Sequence, residues 1–570
     1  MISEEIKNKI KILYVEKKYD ELIKFTQKFT LPNERPSGLI NLLANSYYLK
    51  KNPSKEDIYN ALHLFEKAYL KEKNSIHGMN AIKNFVIVGI KVSSVFKEFS
   101  EYLFKAKKFF IDAENYFDKN EEFLQTGLLL FIHLLDKKKI KEITYKILNG
   151  SVNSKDLRGQ STYMTNYFYD WSKENISNIS KKNSQYYSKL KVKKIDKSSS
   201  SKNKIINLGF VSCDLIRSHS IFYFLKDTLK YLDKSKFRLF IFSLSKKDSN
   251  DPSQNYLRKL CDEWFDLQEF NNQKISEIIQ EKNIEILFDL VGYTNSKRIE
   301  IFNSRVAPIQ ISWLAYCNTT GLDTVDYILA DKNLIYENEH NLYSEKIIKL
   351  PEIWNAHSGF NYDRKFNELK ALNEKNFTFG SLNNFMKISD ETIDTWSKIL
   401  KKVNNSILLL KSSNFCSEEI LMNKFKSNGV ENKVKILRKA NFFKHEDHLN
   451  LYKKIDLCLD TFPYNGVTTT FEALWMNVPV IVLKGNNFVS RCGESIIKNC
   501  KNDNLVAKDI DEYIAKAILL AKDLERLNTI RKTLYNNVLS SALFDTKKFS
   551  KNFSDTLLAI NENHHSKISS

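Results

Sequence analysis

Apolar positions in the first part of the chain recur every three to four residues, with charged faces between them. IKILYVEKKYDELIKFTQKF has this spacing, and DIYNALHLFEKAYLKEKNS repeats it, placing Tyr59, Ala61, Leu62, Leu64, Phe65, Ala68 and Tyr69 on one face. Similar runs at 80–104, 106–117, 121–135 and 140–148 predict helices throughout residues 1–178. YDELIKF and NALHLFEKAYLKEKNS faintly echo a tetratricopeptide repeat, but no strict period holds. A degenerate helical-repeat domain and a plain helical bundle both fit.

From residue 205 the pattern changes to short apolar runs alternating with amphipathic ones. Strands are predicted at 205–212, 237–243, 284–290, 309–316, 325–331 and 345–351, with helices at 220–232, 275–281 and 297–302. The alternation restarts with strands at 377–381, 406–411 and 434–437 and helices at 390–403, 418–427 and 447–453. Strand–helix alternation of this kind predicts two doubly wound parallel sheets. Ligands of such sheets sit beyond the carboxyl ends of the strands, here Ser212-Cys213-Asp214, Asp289-Leu290-Val291-Gly292 and Ala315-Tyr316-Cys317. The predicted division is a helical domain at 1–178, a lysine- and serine-rich linker at 179–204, α/β halves at 205–372 and 373–560, and a polar frayed tail at 561–570.

One stretch concentrates the chemistry. IDLCLDTFPYNGVTTTFEALWMNVPVIVL (455–483) reads as a strand, an Asn465-Gly466 turn with room for positive φ, a threonine-rich helix start and a second strand. Helix N-termini attract anions, phosphate above all. By spacing alone, an ordinary crossover with capping threonines fits equally well. A P-loop is excluded, because no Gly-Lys-Ser/Thr opens the helix.

Composition narrows the reading. A hydrophobic share of 42% supports real cores, and no run of apolar residues is long enough to span a membrane. With no signal-peptide core at the start, a cytoplasmic location is expected. The net charge of +20 comes almost entirely from lysines spread along the chain, and no nucleic-acid-binding motif accompanies it, so no nucleic-acid partner is expected. The seven cysteines form no CxxC pair, which argues against a disulfide framework. His445 and His448 have no third ligand nearby in sequence, so no metal site is expected.

Several blocks carry a resemblance: LGFVSCDLIRSHSIFYFL, ILFDLVGYT, APIQISWLAYCNTTGLDTVDYILAD, FGSLNNFMKISDETIDTWSKILKKVNNSILLL and LDTFPYNGVTTTFEALWMNVPVIVLKG. In this order, across about residues 205–550, the chain resembles the protein O-linked N-acetylglucosamine transferase family. The resemblance implies a GT-B fold, an inverting transfer from a UDP-sugar to protein Ser/Thr, no cofactor or catalytic metal, and an acceptor protein docked by the N-terminal helices. It makes Lys387 the residue that neutralises the diphosphate. A lysine after a strand-end loop (SLNNFMK) suits that task. The resemblance assigns Asn384, Asn465, Gly466, Thr468, Thr469 and Thr470 to the phosphate side, with Glu472 on the donor ribose and His448 on the nucleotide side. His219 would orient or deprotonate the acceptor, with Asp214, Tyr293 and Thr294 beside it.

Three departures from the family pattern stand out. Val467 replaces a histidine before the Thr-Thr pair, Val291 replaces an asparagine, and Asp214 and His219 lie one residue further apart. Other readings stay open: transfer of a hexose to asparagine, a glycan acceptor, or a non-catalytic scaffold.

Overall fold

The computed structural model describes residues 2–193, 205–216, 219–412, 414–438 and 445–569. The chain divides into two compact units, Met1–Val152 with Ser412–Asn423, and Asn153–Lys411 with Lys424–Ser570.

The first unit is helical, with long helices at Ser37–Tyr48, Lys55–Lys71, Ile76–Ser93 and Ser100–Phe117, then Glu121–His133 and Lys137–Asn149. Their starts are written in the sequence. Ser54 and Asp57 form a reciprocal capping box, and Ser75, Asn120 and Asp136 each accept a first-turn N–H. Fully buried alanines at 44, 61, 68, 81, 106 and 113 let neighbouring helices approach. Gly127 serves the same end, since a Cβ there would lie 2.2 Å from the Phe110 ring.

The second unit holds both sheets. In the first half the strands are β1 (Ile206–Ser212), β2 (Phe237–Ser243), β3 (Glu263–Asp266), β4 (Ile286–Asp289), β5 (Ile309–Ser312), β6 (Tyr327–Asp331) and β7 (Lys346–Leu350). They run parallel in the order β3-β2-β1-β4-β5-β6-β7. In the second half are β8 (Phe377–Ser381), β9 (Ser406–Ser412), β10 (Val434–Arg438), β11 (Leu457–Leu459), β12 (Val480–Leu483) and β13 (Val506–Ala507). Their order is β10-β9-β8-β11-β12-β13, parallel from β9 to β13. In each sheet the strand order reverses beside the first strand, between β1 and β4 and between β8 and β11. Open α/β sheets place ligands at such reversals. This is the GT-B arrangement of two Rossmann-like halves.

Three boundaries differ from the sequence expectation. The helices Lys155–Met164 and Lys173–Ser184 belong with the sheets, not with the helices before Val152. Ser296 explains part of this, since its hydroxyl donates to the Asp156 carboxylate at 2.6 Å. The expected linker is ordered through 193: Leu190, Lys191 and Lys193 N–H groups donate to Ser304, Gln273 and Gln280 of the first half. Residues 194–204 of that linker lie outside the described residues. The expected frayed tail is instead the end of a helix, Thr546–Ser569. It returns to the first half, where Phe553 packs on Trp313 and Phe288 at 4.8 and 5.4 Å between ring centroids.

The two halves are also tied by charge. Glu339 of the first half accepts two hydrogen bonds from Arg491 of the second, at 2.6 and 2.8 Å, and one from Lys173 at 2.6 Å. Both members of the Arg491–Glu339 pair are buried, and the two cations hold the Glu339 carboxyl, despite its burial, down at about 2.

Candidate functional site

A cavity of about 470 Å³ opens between the two strand-order reversals. Its first wall begins after β1. His219 caps the helix Ser220–Tyr231, its Nδ1 accepting from the Ile221 N–H at 3.4 Å, and its Nε2 lies 3.7 Å from Asp214 Oδ1. Burial pushes the Asp214 carboxyl up, and the neighbouring His219 pulls it back. Asp214, His219 and Thr294 all line the cavity. Arg217 and Ser218, which carry the altered spacing between Asp214 and His219, lie outside the described residues.

After β4 the chain turns sharply. Asp289 accepts from the Val291 and Gly292 N–H groups at 2.8 and 2.9 Å, and full burial still pushes its carboxyl up to about 6. Gly292 takes φ +52° with the Tyr316 side chain directly behind it, so a Cβ would be both strained and crowded. Thr294 then faces the cavity, whereas Tyr293 does not. Its ring is buried and its hydroxyl donates to Thr320 O at 2.9 Å, so it belongs to the core. Leu314, on the loop after β5, holds φ +67° at the cavity wall, an unusual conformation for a branched residue.

The second wall is built on β8 and β11. Beyond β8, Asn384 caps a single turn, Phe385–Lys387, by accepting the Met386 N–H at 2.9 Å, and this turn presents Lys387. Lys387 Nζ donates to Asn465 O at 2.8 Å and lies 4.2 Å from the centroid of the Tyr464 ring. No carboxylate pairs with it among the described residues. Burial pushes its pKa down, opposed by the field of Asp460. A lysine ammonium has three hydrogens. One is used, which leaves donors for an anion in the cavity.

Beyond β11, Gly466 donates its N–H to Asp460 at 2.8 Å. Gly466 does not use the positive φ that its turn dipeptide permits. It is required by close approach: a Cβ would lie 2.6 Å from Thr469 Oγ1 and 2.8 Å from Thr470 Oγ1. The helix Thr468–Trp475 follows, with Thr468 and Thr469 on the cavity and its unpaired first-turn N–H groups at the same end. Val467, the departure from the family's histidine, lines the cavity.

Four expected donor contacts turn inward instead. The Asn465 side chain bonds to Thr461 O and the Gly493 N–H, so it reaches the site only through its carbonyl. Thr470 is buried behind Thr469. Glu472 is 4% exposed and away from the cavity wall. His445 Nε2 meets its Oε1 at 3.0 Å, while His448 Nε2 and the Tyr452 hydroxyl meet its Oε2 at 2.9 and 3.1 Å. Burial raises the Glu472 carboxyl, but the His448 and His445 imidazoles outweigh it and hold the group well below the usual range. His448 Nδ1 lies 2.7 Å from Lys411 Nζ, so that nitrogen accepts and Nε2 carries the hydrogen donated to Glu472. Glu472 and His448 therefore brace the threonine helix from behind.

Comparison with known proteins agrees with this fold. The sequence model of glycosyl transferase family 41 matches residues 172–361 and 364–553. The chain belongs to glycosyl transferase family 41. It is 29% identical over 350 residues to the probable UDP-N-acetylglucosamine–peptide N-acetylglucosaminyltransferase SPINDLY of Solanum lycopersicum, covering 60% of this chain and 37% of that one. The SPINDLY protein of Arabidopsis thaliana is 31% identical, with 60% and 38% covered. The chain thus spans under two fifths of the length of these curated relatives. Among solved structures, a mutant form of the Thermobaculum terrenum O-GlcNAc transferase has the same fold, with a TM-score of 0.77 at 21% identity over 93% of this chain and 98% of that one.

Several cavity residues of this family 41 chain escape a reading of the sequence. Tyr163 reaches the wall from a helix 301 residues before Tyr464, and Tyr167 packs on Tyr464 with centroids 4.7 Å apart. Asn355 lines the cavity while 2% exposed, and its Oδ1 has no hydrogen-bond partner among the described residues. Asn383 lies inside a motif already quoted, yet only the fold shows its links to Thr469 and Asp460. Among the described residues, no helix is long and apolar enough to cross a membrane.

Proposed function

We propose that the protein is an inverting glycosyltransferase that moves a sugar from a UDP-sugar to Ser or Thr hydroxyls of proteins. The observation that carries this reading is Lys387. Its ammonium sits in the cavity wall without a carboxylate partner among the described residues, facing the start of the threonine helix. A half-buried cation and a helix N-terminus aimed at one space are suited to a leaving diphosphate. Together they supply positive charge that grows in value as the leaving group becomes anionic, and no metal is invoked in this scheme. The sugar is taken as N-acetylglucosamine, after the names of the relatives.

In the proposed step the acceptor hydroxyl oxygen attacks the anomeric carbon while the bond from that carbon to the β-phosphate oxygen breaks. A single displacement inverts the carbon. The hydroxyl proton goes to Nδ1 of His219, which gives up its long 3.4 Å contact with the Ile221 N–H, and the imidazolium so formed has its Nε2 3.7 Å from the Asp214 carboxylate. Electrons released to the phosphate oxygen are met by Lys387 and the Thr468–Thr469 N–H groups. The helices before Val152 are assigned to docking the acceptor protein, and the location is taken as cytoplasmic.

Purified protein, a UDP-sugar panel and a cell lysate test the reading through label transfer and UDP release. Lys387→Ala is expected to lower transfer by about 10²–10³-fold with little change in melting temperature. Undiminished transfer by this variant would sink the assignment. Mass spectrometric mapping to asparagine would move the acceptor class to amide nitrogen.

A further inference from the structure

A lysine without a carboxylate partner still has to be held in place, and two consecutive residues hold Lys387. Asn465 O accepts one of its hydrogens at 2.8 Å, and the ammonium lies over the Tyr464 ring, 4.2 Å from the centroid. The face of an aromatic ring is the negative pole of a quadrupole, so it attracts a cation while carrying no net charge. A carboxylate at the same place would hold the ammonium too, but it would cancel the positive charge for any anion arriving beside it. The ring leaves that charge available.

Tyr464 is itself fixed from two directions. Thr461 Oγ1 donates to Tyr464 O at 2.8 Å, and the Asn465 side chain donates to Thr461 O at 2.9 Å. Thr392 Oγ1 donates to Phe462 O at 2.8 Å, which secures the near end of the same turn. On the other side stand the helix Lys155–Met164 and the single turn Thr165–Tyr167 that follows it. Tyr167 packs on the Tyr464 ring with centroids 4.7 Å apart, and the Tyr163 hydroxyl lies 3.5 Å from the Tyr464 hydroxyl. Burial pushes the Tyr464 phenol well up, so Lys387 sits over a neutral ring and not a phenolate.

We propose that Tyr464 is a positioning residue for the transfer, its ring face and Asn465 O together holding the Lys387 ammonium so that its free donors and undiminished charge meet the leaving diphosphate. The inference rests on the UDP-sugar reading above. Tyr464 acts through Lys387, because an aromatic face by itself repels a phosphate oxygen. The role also explains why two tyrosines from the helical segment before β1 reach this far into the site: they hold the ring that holds the lysine.

The test replaces Tyr464 in the full chain by phenylalanine carrying no, one, two or three ring fluorines, installed by nonsense-codon suppression. Fluorine withdraws electron density from the ring face and hardly alters its shape, so packing stays constant while the quadrupole fades. The readout is kcat for UDP release from UDP-N-acetylglucosamine with lysate protein as acceptor, with melting temperature beside it. Tyr464→Phe is expected to stay within about threefold of the wild-type rate, since it keeps the face. The logarithm of kcat is then expected to fall stepwise with each fluorine, reaching about tenfold to thirtyfold below Tyr464→Phe, at a constant melting temperature. In a Lys387→Ala background the same series is expected to be flat.

A flat series in the presence of Lys387 means that the ring acts by packing alone, which overturns the proposal. Full loss already in Tyr464→Phe assigns the effect to the hydroxyl and overturns it too, as does a series that still declines without Lys387. Loss of transfer in Lys387→Ala together with a flat fluorine series removes the positioning role alone. Undiminished transfer in Lys387→Ala removes the UDP-sugar reading and the role of Tyr464 with it.

Discussion

On the first wall His219 stands 3.7 Å from Asp214 with about a third of its side chain exposed, and Asn355 keeps an unpaired oxygen among the described residues. On the second wall Lys387 and Thr469, with Gly466 and Glu472 behind them, are tied to neighbours at 2.7–3.1 Å. A nucleotide diphosphate has one shape, so the side that would receive it gains from being bonded in advance. Polypeptide acceptors vary. The side that would meet them keeps looser partners, which tighten only when a substrate arrives.

Variants on opposite walls put this contrast to work. His219→Ala is expected to lower kcat by about 10²–10⁴-fold while leaving calorimetric UDP affinity within about twofold. An equal loss of UDP affinity would erase the distinction between the walls. Glu472→Ala leaves the His445 and His448 imidazoles without their carboxylate. It is expected to cost about 3 kcal/mol in urea unfolding, as breaking a buried pair does. The held-down Glu472 carboxyl contributes stability that is complete above the ordinary carboxylate range and is lost as pH falls through its lowered value. Glu472→Gln should therefore flatten the acid limb of stability, read as melting temperature against pH. The smallest effect is expected at Asn355: Asn355→Ala should raise KM for the donor or the acceptor by about threefold to tenfold with little change in stability. Whichever substrate responds tells which one the unpaired oxygen serves.

Much of the fold is legible in the sequence because buried parallel strands are short apolar runs with sharp ends. β2 and β8 fall at the predicted residues, bounded by lysines, serines or glycines, and β12 falls at the end of the predicted strand–turn–helix–strand stretch. β3 is missed because EWFD is an edge strand, half buried along its length, with no apolar run to mark it. The helix Pro252–Leu260 is missed for a related reason, since few of its side chains face the core. At the site, the family resemblance and the threonine-rich helix start single out Lys387, Thr468, Thr469, His219, Asp214 and Thr294, all of which line the cavity. They also single out Tyr293, Asn465, Thr470, Glu472 and His448, whose side chains turn to the interior. A motif fixes which residues are near a turn, but only packing decides which way each one points. Tyr163 and Asn355 show the converse, for they reach the cavity through tertiary contacts that leave no local signal.

The returning helix Thr546–Ser569 carries a consequence for how the chain is made. Trp313 and Phe288 belong to the first sheet half, yet the rings that cover them, Phe549 and Phe553, are synthesised only after the whole second half. As the polypeptide leaves the ribosome, the first half waits with a bare aromatic face, a surface on which nascent chains associate or chaperones settle. The protein's earliest α/β half to be translated is thus among the last to be sealed.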